Sequence, residues 1–198
     1  MRTICPVGRC LPAVVLVSWT LLPGPAESVP SGEDERAVFA VLLPALSRND
    51  SASRYVVEST PLPRPRPSHA DWQWFGPSAA RIRGVVESGA PGVPAPFTPE
   101  SFPPSVLLVP AEQLNELFRR PPTPAGLEEF WGAFRDRFKV QSLYRFSRPV
   151  IGDDGFDAFV AYSYGCGSLC GESGFVWLNR ADRSDPWVVA KQLPKAIA

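Results

Sequence analysis

Cys166 and Cys170, in the run G-C-G-S-L-C-G, are the residues of this sequence best placed to do chemistry. The other two cysteines, Cys5 and Cys10, lie ahead of an apolar N-terminal run. Two thiols four residues apart admit a structural disulfide, a redox-active disulfide or a soft-metal site. A fully extended C-x-x-x-C holds its Cα atoms about 13 Å apart, and a disulfide reaches at most roughly 7 Å. A bond therefore demands a turn, and Gly165, Gly167 and Gly171 are residues that tolerate positive φ. In an oxidising compartment the pair reads first as a disulfide pinning a hairpin loop. Redox exchange is favoured by a C-x-x-C at a helix start, where the helix end lowers a thiol pKa. Here the spacing is longer and no helix follows, although strain in a small ring can make a bond labile. Two thiolates alone are too few ligands for a closed tetrahedral zinc site.

Other reactive groups are sparse. A serine triad needs a histidine base, and the sole histidine, His69, lies in a proline-rich region where it reads as a surface residue. There is no G-x-S-x-G; Gly171-Glu172-Ser173-Gly174 has the wrong spacing. Asp153, Asp154 and Asp157 cluster where a hairpin turn favours Asp and Gly, and Glu128 and Glu129 sit where a helix N-terminus favours negative charge. Calcium needs more oxygen ligands at a different spacing from D-D-G-F-D. No phosphate-binding glycine loop and no nucleic-acid motif is present. The sequence thus nominates no catalytic, cofactor-binding or metal-ligating residue.

The N-terminus has the three parts of an export signal: Arg2 and Arg9, the apolar run Leu11 to Leu22, then Gly24 and Ala26 as small residues before a cut between Ala26 and Glu27. The run is short for a membrane span, Pro23-Gly24-Pro25 would break a helix, and no other segment approaches spanning length. Cys10 precedes the run, whereas a lipoprotein cysteine would follow it. Residues 1–26 are therefore expected to be a signal peptide, and 27–198 one exported, periplasmic or extracellular domain. Roughly 170 residues suffice for a single core. Cleavage would remove two of the 20 basic residues and no acidic one, leaving a small negative balance. On net charge alone, neither nucleic acid nor an anionic membrane is an obvious partner, and the partner is not specified. Only three of the basic residues are lysines (Lys139, Lys191, Lys195), and there are 24 prolines, a composition typical of a GC-rich bacterial genome.

The elements that would position the cysteines are clearest toward the C-terminus. Ser31-Gly32-Glu33-Asp34 resembles a capping box ahead of a helix over 34–46, kinked or ended early near Pro44. Tyr55 to Thr60 reads as a strand, and P-L-P-R-P-R-P (Pro61 to Pro67) as a stiff extended segment. Trp72, Trp74 and Phe75 are expected to fold back onto the core, Arg81 to Ser88 to form another strand, and Gly89 to Pro104 a long loop, so that 61–104 is mainly loop. Ser105 to Val109 predicts a short strand, Pro110 to Phe118 a helix stopped by Pro121-Pro122, and Thr123-Pro124 the start of a longer one. Leu127, Phe130, Trp131, Phe134 and Phe138 form an aromatic face on that helix, for core packing or for a pocket wall. The period then changes to two. Leu143 to Ser147, Phe156 to Tyr164, Gly174 to Asn179 and Trp187 to Gln192 read as strands joined by G-D-D-G, the cysteine loop and Ala181 to Pro186. The fold expected is α+β: an antiparallel C-terminal β-meander with amphipathic helices packed on one face, residues 105–198 being its best-defined core.

From Leu127 onward the chain resembles a family of uncharacterised exported bacterial proteins. The shared pattern is an aromatic helix (F-W-G-A-F-R-D-R-F, Phe130 to Phe138), F-S-R-P-V (Phe146 to Val150), an alanine-led strand (D-A-F-V-A-Y, Asp157 to Tyr162), C-G-S-L-C-G-E-S-G (Cys166 to Gly174) and P-W-V-V (Pro186 to Val189). The resemblance implies a fold and export but no activity. The final strand runs into L-P-K-A-I-A where the family has a W-x-S ending, which leaves the pairing of the last residues open. C-G-S-L-C-G is also similar to the C-S-E-L-C-G-x-x-H-x-x-M loop that holds dinuclear copper in cytochrome oxidase subunit II. Gly174 stands at its histidine position and Trp177 at its methionine position, so that ligand set is incomplete. The expected protein is an exported, non-catalytic envelope or secreted domain for binding or structure, stabilised by a Cys166–Cys170 disulfide. The alternative is thiol-based redox or soft-metal chemistry at the same pair.

Overall fold

In a computed structural model of the chain, residues 32–47, 54–88, 94–117 and 123–196 are described. The expected export segment 1–26, the expected Ala26/Glu27 junction, Cys5, Cys10, Ser31, Phe118 and Pro121-Pro122 lie outside them. The first helix, α1 (Gly32–Leu46), matches the expected stripe. Val38, Phe39, Leu42, Leu43 and Leu46 all point into the core, and Pro44 sits inside the last turn. Strand β1 (Tyr55–Glu58) follows. The proline segment then runs extended beside the sheet: the Leu62 N–H donates to the Phe146 carbonyl at 2.7 Å, and Arg64 reaches the Val86 carbonyl at 2.6 Å.

The stretch expected to be loop and strand contains two helices. Ser68 caps α2 (His69–Phe75) in a reciprocal capping box with Asp71, and α3 (Ala79–Ser88) follows a single 3-10 turn. The expected strand over Arg81 to Ser88 is thus a helix. Its β-branched residues favour either state, but Ile82, Val85 and Val86 recur at the spacing of one helical face, and Ile82 and Val86 pack against Phe75 and Phe159. Packing outweighs a weak local preference.

Strand β2 (Val106–Val109), the short helix α4 (Ala111–Asn115) and α5 (Pro124–Phe138) come next. Thr123 caps α5, accepting from the Gly126 N–H at 3.1 Å. The remaining strands are β3 (Leu143–Phe146), β4 (Val150–Ile151), β5 (Asp157–Gly167), β6 (Cys170–Asn179) and β7 (Val188–Ala196). One sheet runs β2-β1-β3-β5-β6-β7, with β4 added against β5. The β3-β5-β6-β7 part is the antiparallel meander expected, and β7 continues through Pro194 to pair Ala196 with Glu172.

Two corrections follow. The sheet is mixed, because β1 pairs parallel with both β2 and β3. Parallel neighbours need long crossovers, and these are supplied by the α2-α3 and α4-α5 segments. Helices also cover both faces rather than one. Val57, Tyr144, Phe146, Ala158, Val160, Val176 and Leu178 pack with α1, Phe97, Phe102 and Trp187. Their strand neighbours Val56 and Leu143 pack with α4 and α5, while Phe159, Phe175 and Trp177 pack with α2 and α3. Successive residues of one strand point to opposite faces, so strands apolar at consecutive positions must be covered twice.

Candidate functional site

The cysteines meet at the tip of the β5–β6 hairpin. Cys166 and Cys170 form a disulfide with Cα atoms 5.1 Å apart, and the turn between the strands is the pair Ser168-Leu169. Cys166 occupies a register shift, since Gly165 pairs with Gly171 and Gly167 pairs with Cys170. A bulge of this kind turns side chains that would otherwise alternate, which is what a bond inside one hairpin requires.

Of the three glycines around it, Gly167 has the positive φ expected of the turn, at 158°, whereas Gly165 and Gly171 do not. Gly165 instead accommodates a ring: a Cβ there would lie 2.8 Å from Trp131 Cζ2 of α5. At the hairpin tip, the Ser168 hydroxyl hydrogen-bonds Glu128 on the first turns of the same helix. The helix and the disulfide hairpin are thereby joined at two points.

Between them is a cleft of about 400 Å³. Leu127, Phe130, Trp131 and Leu143 form its apolar wall, and Arg145 and Ser163 add polar groups from the sheet. The hairpin residues Gly167 to Gly171 form the remaining wall. The aromatic stripe of α5 therefore serves both expected roles, since Phe130 and Trp131 are core residues that also line the cleft. Arg145 is partly exposed and pairs with Glu58 at 2.6 Å. Leu169, at the tip, is fully exposed (101%). Burying so large an apolar side chain would contribute roughly 1.5–3 kcal/mol, so an exposed leucine beside a cleft is a ready contact point. Sequence reading did not single out Arg145, Ser163 or Leu169. The one available signal for Leu169 was its place between the two cysteines.

The remaining candidates are dispersed. Asp153 and Asp154 lie exposed in the turn, with their backbone carbonyls accepting from Arg183. Asp157 is buried, ion-paired with Arg81 and accepting from Trp177 Nε1 at 2.9 Å, so the three aspartates do not converge on a pocket. His69 is an exposed residue of the first turn of α2, with Gln73 as its neighbour. The positions matching a copper loop's histidine and methionine, Gly174 and Trp177, point to opposite faces of β6. A Cβ at Gly174 would meet the Leu193 carbonyl at 2.1 Å. Among the described residues, no three His, Cys, Asp or Glu side chains are grouped to hold a metal ion.

On the opposite face, near the same end of the sheet, Tyr162 donates to Glu172 at 2.5 Å and accepts from Gln192 at 2.8 Å. Burial and the adjacent Glu172 carboxylate raise the Tyr162 pKa well above its ordinary value. The phenol is held as a neutral donor at any physiological pH. This cluster is a satisfied polar link inside the core, not an exposed acid–base pair.

No family model matches the chain, and no curated protein or solved structure matches it.

Proposed function

We propose that this chain is an exported, non-catalytic binding domain whose contact surface is the cleft between α5 and the disulfide hairpin, with Leu169 at its rim. The observation that carries the reading is the construction of that cleft. One wall is a helix fixed in the core, and the other is a hairpin tip covalently closed by Cys166–Cys170 and tied to Glu128. Preorganised walls of this kind lower the ordering cost of binding. The lining favours an apolar or aromatic group, with the Arg145 guanidinium, already paired with Glu58, as its cation. Asp153 and Asp154 are committed to a turn and Asp157 to an ion pair, which supports a binding role. Export is supported by the sequence of residues 1–26, by the disulfide and by the resemblance of the C-terminal part to exported bacterial proteins.

The alternative is thiol exchange at Cys166 and Cys170. The exposure of Cys170 favours it, since an attacking thiolate needs access to one sulfur.

Two measurements separate these readings. Intact mass with and without reductant, followed by alkylation, should give a chain beginning at Glu27 with two thiols that react only after reduction. Two freely alkylated thiols in the untreated protein would remove the disulfide on which the hairpin wall depends. The Cys166→Ser/Cys170→Ser variant should lose about 2 kcal/mol of stability and bind anilinonaphthalenesulfonate, an apolar anion suited to the cleft, more weakly than the parent. Leu127→Glu should abolish that binding with the fold intact. An oxidising reduction potential, with loss of activity in the double serine variant and little change in stability, would favour thiol exchange instead.

A further inference from the structure

Along the sheet face covered by α2 and α3 are four cations, three of them over aromatic rings. The Arg83 guanidinium lies over Trp72 at 5.3 Å, Lys191 over Trp74 at 4.9 Å, and Lys195 over Phe175 at 5.0 Å. Arg81 is the fourth. The carboxylates on this side include Asp71, Asp157 and Glu87, with the exposed Asp154 close to Val85 of α3. Asp71 and Asp157 are buried beneath Lys195 and Arg81, whose side chains stay about half exposed. Among the described residues, Arg83 and Lys191 form no ion pair. Lys191 instead donates to the Trp74 and Phe75 carbonyls at the end of α2, each at 3.2 Å, which fixes the helix against β7.

Two of the three exposed large apolar side chains among the described residues are on this side: Trp74 (42%) and Val188 (56%). The β6–β7 register pairs Val188 with Asn179 and Lys191 with Trp177, so both project to the face that α2 covers. Cations alone would suit any acidic polymer. Cations flanked by a projecting indole and a projecting aliphatic side chain suit a surface that is anionic outside and apolar just beneath.

We propose that the α2/α3/β7 face docks onto an anionic phospholipid surface, with Trp74 and Val188 entering the interface and Arg83, Lys191, Lys195 and Arg81 at headgroup level. Indoles sit preferentially at that depth, and each basic residue near an anionic leaflet contributes about fivefold in affinity. The proposal is independent of what occupies the cleft. It is an attachment of the folded domain and needs no membrane-spanning segment.

The test is cosedimentation of the purified chain with vesicles of phosphatidylcholine alone and of phosphatidylcholine mixed with phosphatidylglycerol. Binding is expected only with phosphatidylglycerol, weakening as salt rises. Brominated phosphatidylglycerol should quench tryptophan emission in the parent, and most of that quenching should disappear in Trp74→Phe. Arg83→Glu, an exposed helical position, should weaken binding at least fivefold, and Arg83→Glu/Val188→Ser more so, with circular dichroism unchanged. Absence of binding to the anionic vesicles would overturn the proposal. So would undiminished binding of both variants, which would place membrane contact elsewhere, for instance in the N-terminal apolar run. Binding of soluble polyphosphate but not of vesicles would make this a site for an acidic polymer and would equally overturn it.

Discussion

Replacing Gly165 by alanine tests whether the hairpin and α5 are seated on one another as described. The added Cβ would stand 2.8 Å from Trp131 Cζ2 and 3.1 Å from Cη2, so the indole must retreat about 0.6 Å to reach the 3.4 Å where ordinary contact begins. Trp131 cannot retreat freely, because the rings of Phe130 and Phe134 lie 5.2 Å and 5.3 Å from its own. Overpacking of a filled core costs about 1–3 kcal/mol, and removing a glycine from the unfolded chain returns about 0.4–1. The net loss should be about 1–2 kcal/mol, a fall in melting temperature of about 2–8 °C. Gly132→Ala and Gly84→Ala, inside α5 and α3, are the controls. A Cβ at either meets nothing within 4 Å, so each should gain up to about 1 kcal/mol from helix propensity. Thermal melts followed by circular dichroism give all three values, and tryptophan emission reports whether Trp131 moves. If Gly165→Ala melts at or above the parent, Trp131 does not lie on Gly165 and the cleft wall is not built as argued.

Arg148 holds α1 to the segment before β2: it pairs with buried Glu35 at 2.5 Å and donates to the Ala95 and Pro96 carbonyls. Arg148→Ala should therefore cost about 3–5 kcal/mol in chemical denaturation by stranding the carboxylate, and adding Glu35→Gln should recover a substantial part. Asp71 is opposed by burial, but the hydrogen bonds from Lys195 and from Ser68 outweigh it and leave its pKa below the ordinary carboxylate value. Its stabilising contribution is complete above an unfolded pKa near 4 and declines as pH falls through the lower folded value. Acid titration of stability should thus show a shallower decline in Asp71→Asn than in the parent. At the other extreme, the raised pKa of Tyr162 protects below pH about 10 and is lost as pH rises beyond it. Tyr162→Phe should flatten that alkaline loss.

Much of the secondary structure was legible because its signals are local. α1, α5 and the β3-β5-β6-β7 meander each declare themselves by apolar period, caps and turn residues within a few positions. The disulfide was legible for the same reason, since a five-residue ring in a glycine-rich run leaves few alternatives. The region from Pro61 to Pro104 was not. Its prolines and glycines read as loop, while the reciprocal bonds of Ser68 with Asp71 and the packing of Ile82 and Val86 on Phe75 and Phe159 make helices of α2 and α3.

Sequence by itself determined that the chain is α+β toward its C-terminus and that Cys166 and Cys170 could meet only through a tight turn. Tertiary structure alone decided the parallel pairing of β1, the covering of both sheet faces, the reason Gly165 is glycine, and the gathering of Arg83, Trp74, Val188 and Lys191 on one surface. Each of these depends on residues tens of positions apart. Periodicity records which side of an element is apolar, but not which distant element covers it.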